Sequence, residues 1–157
     1  MGFKISDELI RSVRSSIESK SDKELEFLLQ DVHHADIAEI LEELDFQEAI
    51  YLFKIMDSET TSEVLLEVDE DLREEILSKL SAKEIAEELD EMHTDDAADI
   101  IAELSDRLKQ EVISELEDAE HAKDIVELLR YDEDTAGGLM GKELVQVNEN
   151  WNVLIYN

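Results

Sequence analysis

Apolar residues recur along the chain at helical spacing, and two series of them repeat every twelve residues. The first series runs from Leu41 through Phe53, Leu65, Leu77, Leu89, Ile101, Ile113 and Ile125. The second runs from Leu44 through Met56, Val68, Leu80, Met92, Leu104, Leu116 and Leu128. Twelve residues make about three and one third turns of a continuous α-helix, so the apolar stripe would turn away from any single partner. The pattern therefore predicts many short helices rather than one long helix.

A third series with the same spacing is mostly polar and marks the expected helix starts. Its members are His33, Asp45, Asp57, Asp69, Ser81, His93, Ser105 and Glu117. Asp and Ser are favoured at the N-cap because their side chains accept hydrogen bonds from free backbone N–H groups. Ser81 with Glu84, and Asp45 with Glu48, have the spacing of a capping box. Each unit is thus predicted to begin a new helix of about ten residues.

The two ends of the chain differ from this repeat. Residues 6–19 are predicted to form an extra amphipathic helix, and Ser21 with Glu24 has capping-box spacing before the next one. After Arg130, residues 131–141 contain three of the four glycines, and residues 143–147 alternate as in a strand. We expect a helical domain at 1–131, then a linker and the truncated start of another domain at 132–157.

The fold class predicted from these patterns is all-α, a solenoid-like stack of about ten short helices with a period of roughly twelve residues. The twelve residues from His33 resemble the twelve from His93, which suggests duplication of a multi-helix unit. Convergent use of good helix formers is the alternative explanation.

The charge of the chain narrows the range of partners. Forty-four acidic residues against fourteen basic ones give a formal net charge of −30. Nucleic-acid binding requires a basic surface, and an anionic membrane would repel this chain. Cations or basic protein surfaces are the partners that such a charge favours. Solubility, or adaptation to a salt-rich cell, would explain the charge without any partner.

The sequence gives no indication of catalysis or of membrane insertion. It has no cysteine, no phosphate-binding glycine loop and no nucleophile motif, and its many carboxylates single out no acid–base pair. No stretch approaches the roughly twenty apolar residues of a membrane span. We therefore expect a soluble, intracellular chain that is not an enzyme.

The strongest candidate for metal binding is the acid cluster that follows Thr94. With Thr94 as the helix cap, Asp95 and Asp99 lie at i and i+4, and Asp96 and Asp99 at i and i+3. Like charges at these spacings repel unless a cation lies between them, and Mg²⁺ needs only one or two carboxylates. The alternative is structural, because the helix dipole favours Asp in a first turn and Asp99 then faces solvent.

The loop from Tyr131 to Met140, YDEDTAGGLM, closely resembles the junction in MgtE-type magnesium channels between the helical N domain and the first CBS domain. The repeats that begin at His33 and at Asp95 also resemble that N domain, and the similarity extends over about residues 25–153. One departure is the absence of proline, since family members often have proline where this chain has His34 and Gly141.

The resemblance implies a right-handed superhelix, similar also to the helical domains of flagellar motor switch proteins. It implies a regulatory magnesium-sensing domain on the cytoplasmic side of a bacterial inner membrane protein, which is a homodimer. The implied partners are Mg²⁺ and the CBS domains of the same polypeptide, and bound Mg²⁺ holds the pore closed. Matching positions imply Asp95, Asp99 and the carbonyl of Gly138 as ligands, with Asp96 as a further candidate.

A different function also fits the helical repeat. Stacked short helices commonly form scaffolds that bind other proteins, without any role in metal sensing. A large exposed apolar patch would favour this interpretation.

Overall fold

The structure is a computed structural model, and it describes residues 6–131, 135–137 and 139–143. These residues contain ten helices and no strand, which confirms the predicted all-helical class. The helices are α1 Asp7–Glu18, α2 Asp22–Leu29, α3 His34–Glu43, α4 Phe46–Ile55, α5 Ser58–Glu67, α6 Glu70–Leu77, α7 Ala82–Asp90, α8 Thr94–Glu103, α9 Asp106–Glu115 and α10 Ala119–Leu128. Within the described part of the chain, no helix has the length and apolarity that a membrane span requires.

The polar series sets where most helices begin. His33, Asp45, Asp57, Asp69, Ser81, His93 and Ser105 are the N-caps of α3 to α9. Complete capping boxes form at Asp45 with Glu48 and at Ser81 with Glu84, as predicted. Two details of the prediction are wrong.

The first error concerns α10, whose N-cap is Asp118 and not Glu117. The Glu117 amide instead donates to the Asp90 carboxylate at 3.0 Å, so the chain takes one more residue before the last helix starts. The second concerns Ser21, which precedes α2 but makes no side-chain cap hydrogen bond. The side chains of His93 and Ser105 make none either, although their backbones are extended.

The two apolar series differ in depth. Of the series from Leu41, every member is buried except Ile113, which is half-buried. Members of the series from Leu44 lie mainly at helix C-caps, where Leu44 and Val68 are buried but Met56, Leu104 and Leu116 are half-buried. The first series therefore forms the centre of the core, and the second packs against it at the turns between helices.

Helices pack mainly on the second helix along the chain. In this way α3 contacts α5, α5 contacts α7, α7 contacts α9, and α8 contacts α10. Helix α1 instead packs against both α2 and α4. This arrangement is that of stacked repeats, in which each unit is stabilised by its neighbours. The right-handed sense of the stack stays a prediction.

One arginine makes polar contacts with two other helices of the stack. Arg73 of α6 forms two parallel hydrogen bonds with Glu103 at the end of α8, Nε to Oε2 at 3.1 Å and Nη2 to Oε1 at 2.8 Å. Its Nη1 donates to the carbonyl of Leu65 in α5 at 3.3 Å. One guanidinium therefore joins three helices, and its side chain is only 17% exposed.

Replacing this guanidinium should destabilise the fold. We expect Arg73→Met to lower the free energy of unfolding by about 1–3 kcal/mol, because charge-assisted, paired hydrogen bonds are lost and Glu103 keeps its charge. Urea unfolding at constant ionic strength measures the change. Arg107→Met is the matched control, since Arg107 is 89% exposed and its ion pair is with Glu111, one turn away. Its expected cost is below about 0.5 kcal/mol, and equal losses in both variants would contradict the prediction.

Candidate functional site

The acid cluster singled out from the sequence lies at the start of α8. The helix begins at Thr94, but the N-cap is His93 and not Thr94, and the His93 side chain makes no cap hydrogen bond. Thr94 is buried, at 3% exposure. Asp95 and Asp96 follow it and are half-buried, whereas Asp99 lies one turn further along and is exposed.

A short segment beyond α10 covers this helix end. The Thr94 amide donates to Oε1 of Glu143 at 2.7 Å, and the Thr94 hydroxyl lies 3.2 Å from Oε2 of the same carboxylate. The Lys142 amide donates to the Thr94 hydroxyl oxygen at 3.1 Å. Glu143 therefore supplies the capping acceptor that His93 does not provide, and its negative charge lies at the positive end of the helix dipole.

The same segment brings its backbone close to Asp95. A Cβ atom added to Gly141 would lie 3.6 Å and 3.7 Å from the two carboxylate oxygens of Asp95, and 3.3 Å from Oε2 of Glu143. A larger side chain at position 141 would therefore have to fit between two carboxylates. The first turn of α8 and the chain that follows α10 thus share one acidic surface.

Electrostatic repulsion is concentrated on this surface. Partial burial, and then the neighbouring Asp95 carboxylate, raise the pKa of Asp96 above its ordinary value. Glu63 of α5 and Glu143 act in the same direction, and His93 opposes them. A raised pKa means that the charged form of Asp96 is held at an energetic cost, which a nearby cation would reduce.

Glu143 behaves differently because it has donors. Partial burial pushes the pKa of Glu143 upward, but hydrogen bonds from the Thr94 amide and hydroxyl outweigh it, and the pKa lies below its ordinary value. His93 adds a weaker contribution, with its Nδ1 atom 3.8 Å from Oε2 of Glu143. Glu143 is therefore held as an ionised helix cap.

The residues present fit a partial magnesium site. Asp95 and Asp96 offer only oxygen donors on a half-buried surface, and Mg²⁺ keeps several waters while using one or two carboxylates. Within residues 6–131, 135–137 and 139–143, no group of three or more acidic or histidine side chains is gathered closely enough to hold a metal ion. A complete site would thus need oxygen atoms from elsewhere.

Several predicted features lie outside the described residues. Gly138, whose carbonyl was expected to be a ligand, is one of them. So are residues 144–147 of the predicted strand, and most of the expected second domain at 132–157. These expectations, and the roles of Asp95, Asp96 and Asp99 as ligands, stay predictions.

Lys142 and Glu143 are the residues at this site that the sequence did not reveal. Glu143 lies 49 positions from Thr94, so no local spacing rule connects the two residues. The available signal was weak: Lys142 is one of only fourteen basic residues, and it follows a glycine-containing loop.

Exposed large apolar side chains bear on the scaffold interpretation. In the part of the chain that the structure describes, they are Phe27, Tyr131, Leu139 and Met140. Three of these four belong to the segment after α10, where a following domain is expected to begin. Phe27 alone is on the helical repeat, which is too little for the large apolar patch that a scaffold would favour.

The family model of the MgtE intracellular N domain matches residues 32–134. No curated protein matches the chain.

Two solved structures are similar. The crystal structure of the soluble part of a magnesium transporter aligns with a TM-score of 0.76 and 25% identity, covering 88% of this chain and 55% of that one. The crystal structure of the cytosolic domain of the Mg²⁺ channel MgtE in complex with ATP aligns with a TM-score of 0.72 and 23% identity, covering 82% and 53%. The second likeness bears on the fold alone. The chain spans about half the length of the solved chains that it matches.

Proposed function

This chain belongs to the family of MgtE intracellular N domains, and on that premise we propose that it is the regulatory, magnesium-sensing domain of a bacterial magnesium channel or transporter. In this proposal, Mg²⁺ bound by acidic residues at the boundary with a CBS domain stabilises the closed state. The domain acts on the cytoplasmic side of the cell membrane, within a homodimer, and carries out no catalytic step.

The observation that carries the proposal is that the first turn of α8 and the chain beyond α10 meet at Asp95. The first turn of α8 places Asp95 and Asp96 together, and the chain beyond α10 brings Gly141 against the Asp95 carboxylate. Partial burial, and then repulsion from the Asp95 carboxylate, raise the pKa of Asp96. Mg²⁺ at this boundary would reduce the repulsion, so it would favour the arrangement in which the helical domain and the CBS domain are close.

The mechanism is a shift between two states. A ligand changes such an equilibrium only by its differential affinity, and Mg²⁺ has that difference if its site is complete only when the helical domain and the CBS domain meet. The whole chain has a net charge of −30. When the cation leaves, the acidic residues of the chain repel other acidic surfaces, and screening over about 8 Å removes only part of the repulsion. The helical domain then moves away and the closed state loses its support.

The ligand assignment gives a direct test on this chain. We expect Mg²⁺, titrated at constant ionic strength against a potassium control, to give saturable amide shifts centred on Asp95, Asp99 and Gly138. In the double variant Asp95→Asn, Asp99→Asn, the magnesium concentration at the midpoint of the titration should rise at least about tenfold, because the number of carboxylates sets the affinity of such sites.

The matched control changes the same charge elsewhere. Asp71 and Glu75 are exposed and also lie at i and i+4, on α6, so Asp71→Asn with Glu75→Gln should leave the midpoint within about twofold. Small uniform shifts that are the same for Mg²⁺ and potassium would reject the sensor proposal for this chain. A double variant at 95 and 99 that titrates like the unmodified chain would reject the ligand assignment.

A further inference from the structure

The Thr94 hydroxyl has both of its hydrogen-bonding roles occupied by one short segment. Its oxygen accepts the Lys142 amide at 3.1 Å, and the hydroxyl can donate to Oε2 of Glu143 at 3.2 Å. The Thr94 amide adds a third hydrogen bond, to Oε1 of Glu143 at 2.7 Å. All three involve a residue that is only 3% exposed, so water competes poorly for them.

The Lys142 side chain ties the same segment to a second helix. Its ammonium nitrogen lies 2.7 Å from Oε2 of Glu127 and 3.6 Å from Oδ1 of Asp124, both in α10. The Lys142 side chain is 18% exposed, which is low for a lysine. Two consecutive residues therefore hold α8 and α10, which pack against each other.

The related segment at α3 shows that this arrangement is specific to α8. There, Nδ1 of His33 accepts the Ala35 amide at 3.3 Å and caps the helix locally. The corresponding residue at α8 is His93, whose side chain makes no such bond. Similar local sequence thus gives a self-capped helix in one case and a helix capped by residue 143 in the other.

We propose that Thr94 is a positioning residue: with Lys142 and Glu143 it forms a clasp that fixes residues 139–143 on α8 and α10. The clasp sets the position of the Gly141 backbone beside Asp95 before any cation binds. Its consequence for magnesium rests on the proposed function, since a prearranged boundary lowers the cost of completing a cation site. Breaking the clasp weakens magnesium binding without removing a carboxylate.

Amide hydrogen exchange, followed by NMR without magnesium, tests the clasp itself. Thr94→Val keeps the shape of the side chain and removes the hydroxyl, whereas Thr94→Ser keeps the hydroxyl. We expect exchange at the Lys142 amide to rise at least about fivefold in the Val variant and to stay near the original rate in the Ser variant. The control is Ser58→Ala at the first position of α5, three repeat units earlier, which should leave the Lys142 amide unchanged.

The magnesium titration of the same variants tests the consequence. We expect the midpoint for Thr94→Val to rise about three- to tenfold, with Thr94→Ser within about twofold of the original. Equal Lys142 exchange in the original and Val chains would overturn the clasp, and lost protection with an unchanged midpoint would overturn its role in cation binding. A chain with a protected Lys142 amide but no saturable magnesium response would overturn the proposed function while leaving the clasp supported.

Discussion

Leu65→Ala is expected to lower the free energy of unfolding by about 3–4 kcal/mol, because it leaves a cavity at the centre of a stack that cannot close around it. Leu65 is fully buried in α5, and α5 packs on both α3 and α7. A loss of this size is a large fraction of the 5–15 kcal/mol that typically stabilises a domain. Urea unfolding followed by circular dichroism measures it.

The neighbouring residue supplies the control for this prediction. Leu66 is the same residue type on the same helix, but it is half-buried, so Leu66→Ala should cost about 1 kcal/mol. In a repeat stack the loss of stability should also affect adjacent units. We therefore expect protection of backbone amides from hydrogen exchange to fall in α3 and α7 as well as in α5. Equal losses for the two variants would show that the twelve-residue series does not mark the core.

The helical architecture could be predicted from the sequence because its determinants are local. A helix start is favoured by a capping side chain and an apolar residue a few positions later, and both recur every twelve residues from Asp45 to Ser81. The prediction failed by one residue at Glu117, where the Asp90 carboxylate accepts the Glu117 amide from 27 positions away. The error therefore arises where a long-range contact replaces a local one.

The candidate site was less predictable for the same physical reason. Helical spacing correctly placed Asp95 and Asp96 together in a first turn, but it gave no sign that Glu143 would cap that turn. His93 and His33 begin similar segments, yet only His33 caps its own helix. The difference comes from the chain beyond α10, which periodicity within the repeat does not describe.

Glu88 is a second feature that the sequence did not reveal, because a polar residue in a strongly acidic helix gives no signal of burial. It is only 8% exposed and lies among the buried residues of α7. Its Oε2 atom is 2.6 Å from the hydroxyl oxygen of Thr61 in α5, and that oxygen is 3.0 Å from the carbonyl of Asp57. Thr61 has one hydroxyl proton, so both bonds form together only if Glu88 is protonated and donates to Thr61.

The surroundings of Glu88 favour that protonated form. Burial is the main cause that raises the pKa of Glu88 to about 7, and the charges of Glu87, Asp57 and Glu91 raise it further. A hydrogen bond that the Thr61 hydroxyl would donate to the ionised carboxylate opposes them. In the unfolded chain a glutamate has an ordinary pKa near 4.3. The folded state therefore binds this proton more tightly. Below about pH 4.3, Glu88 therefore does not reduce the free energy of unfolding. As the pH rises from there through about 7, the free energy of unfolding decreases.

Glu88→Gln should remove this pH-dependent decrease, since an amide keeps the size and hydrogen-bonding capacity of the protonated acid. At pH 8 we expect the variant to be more stable than the original chain by about 2–3 kcal/mol, and at pH 5 by less than about 1 kcal/mol. Urea unfolding at pH 5, 6, 7 and 8 and constant ionic strength measures the difference. Glu87→Gln changes the same charge at an exposed neighbour. The free energy of unfolding of this variant should vary with pH nearly as it does in the original chain. If the Glu88→Gln curve were also parallel, Glu88 would be ionised in the folded chain throughout this range, and the contact between α5 and α7 would not depend on its proton.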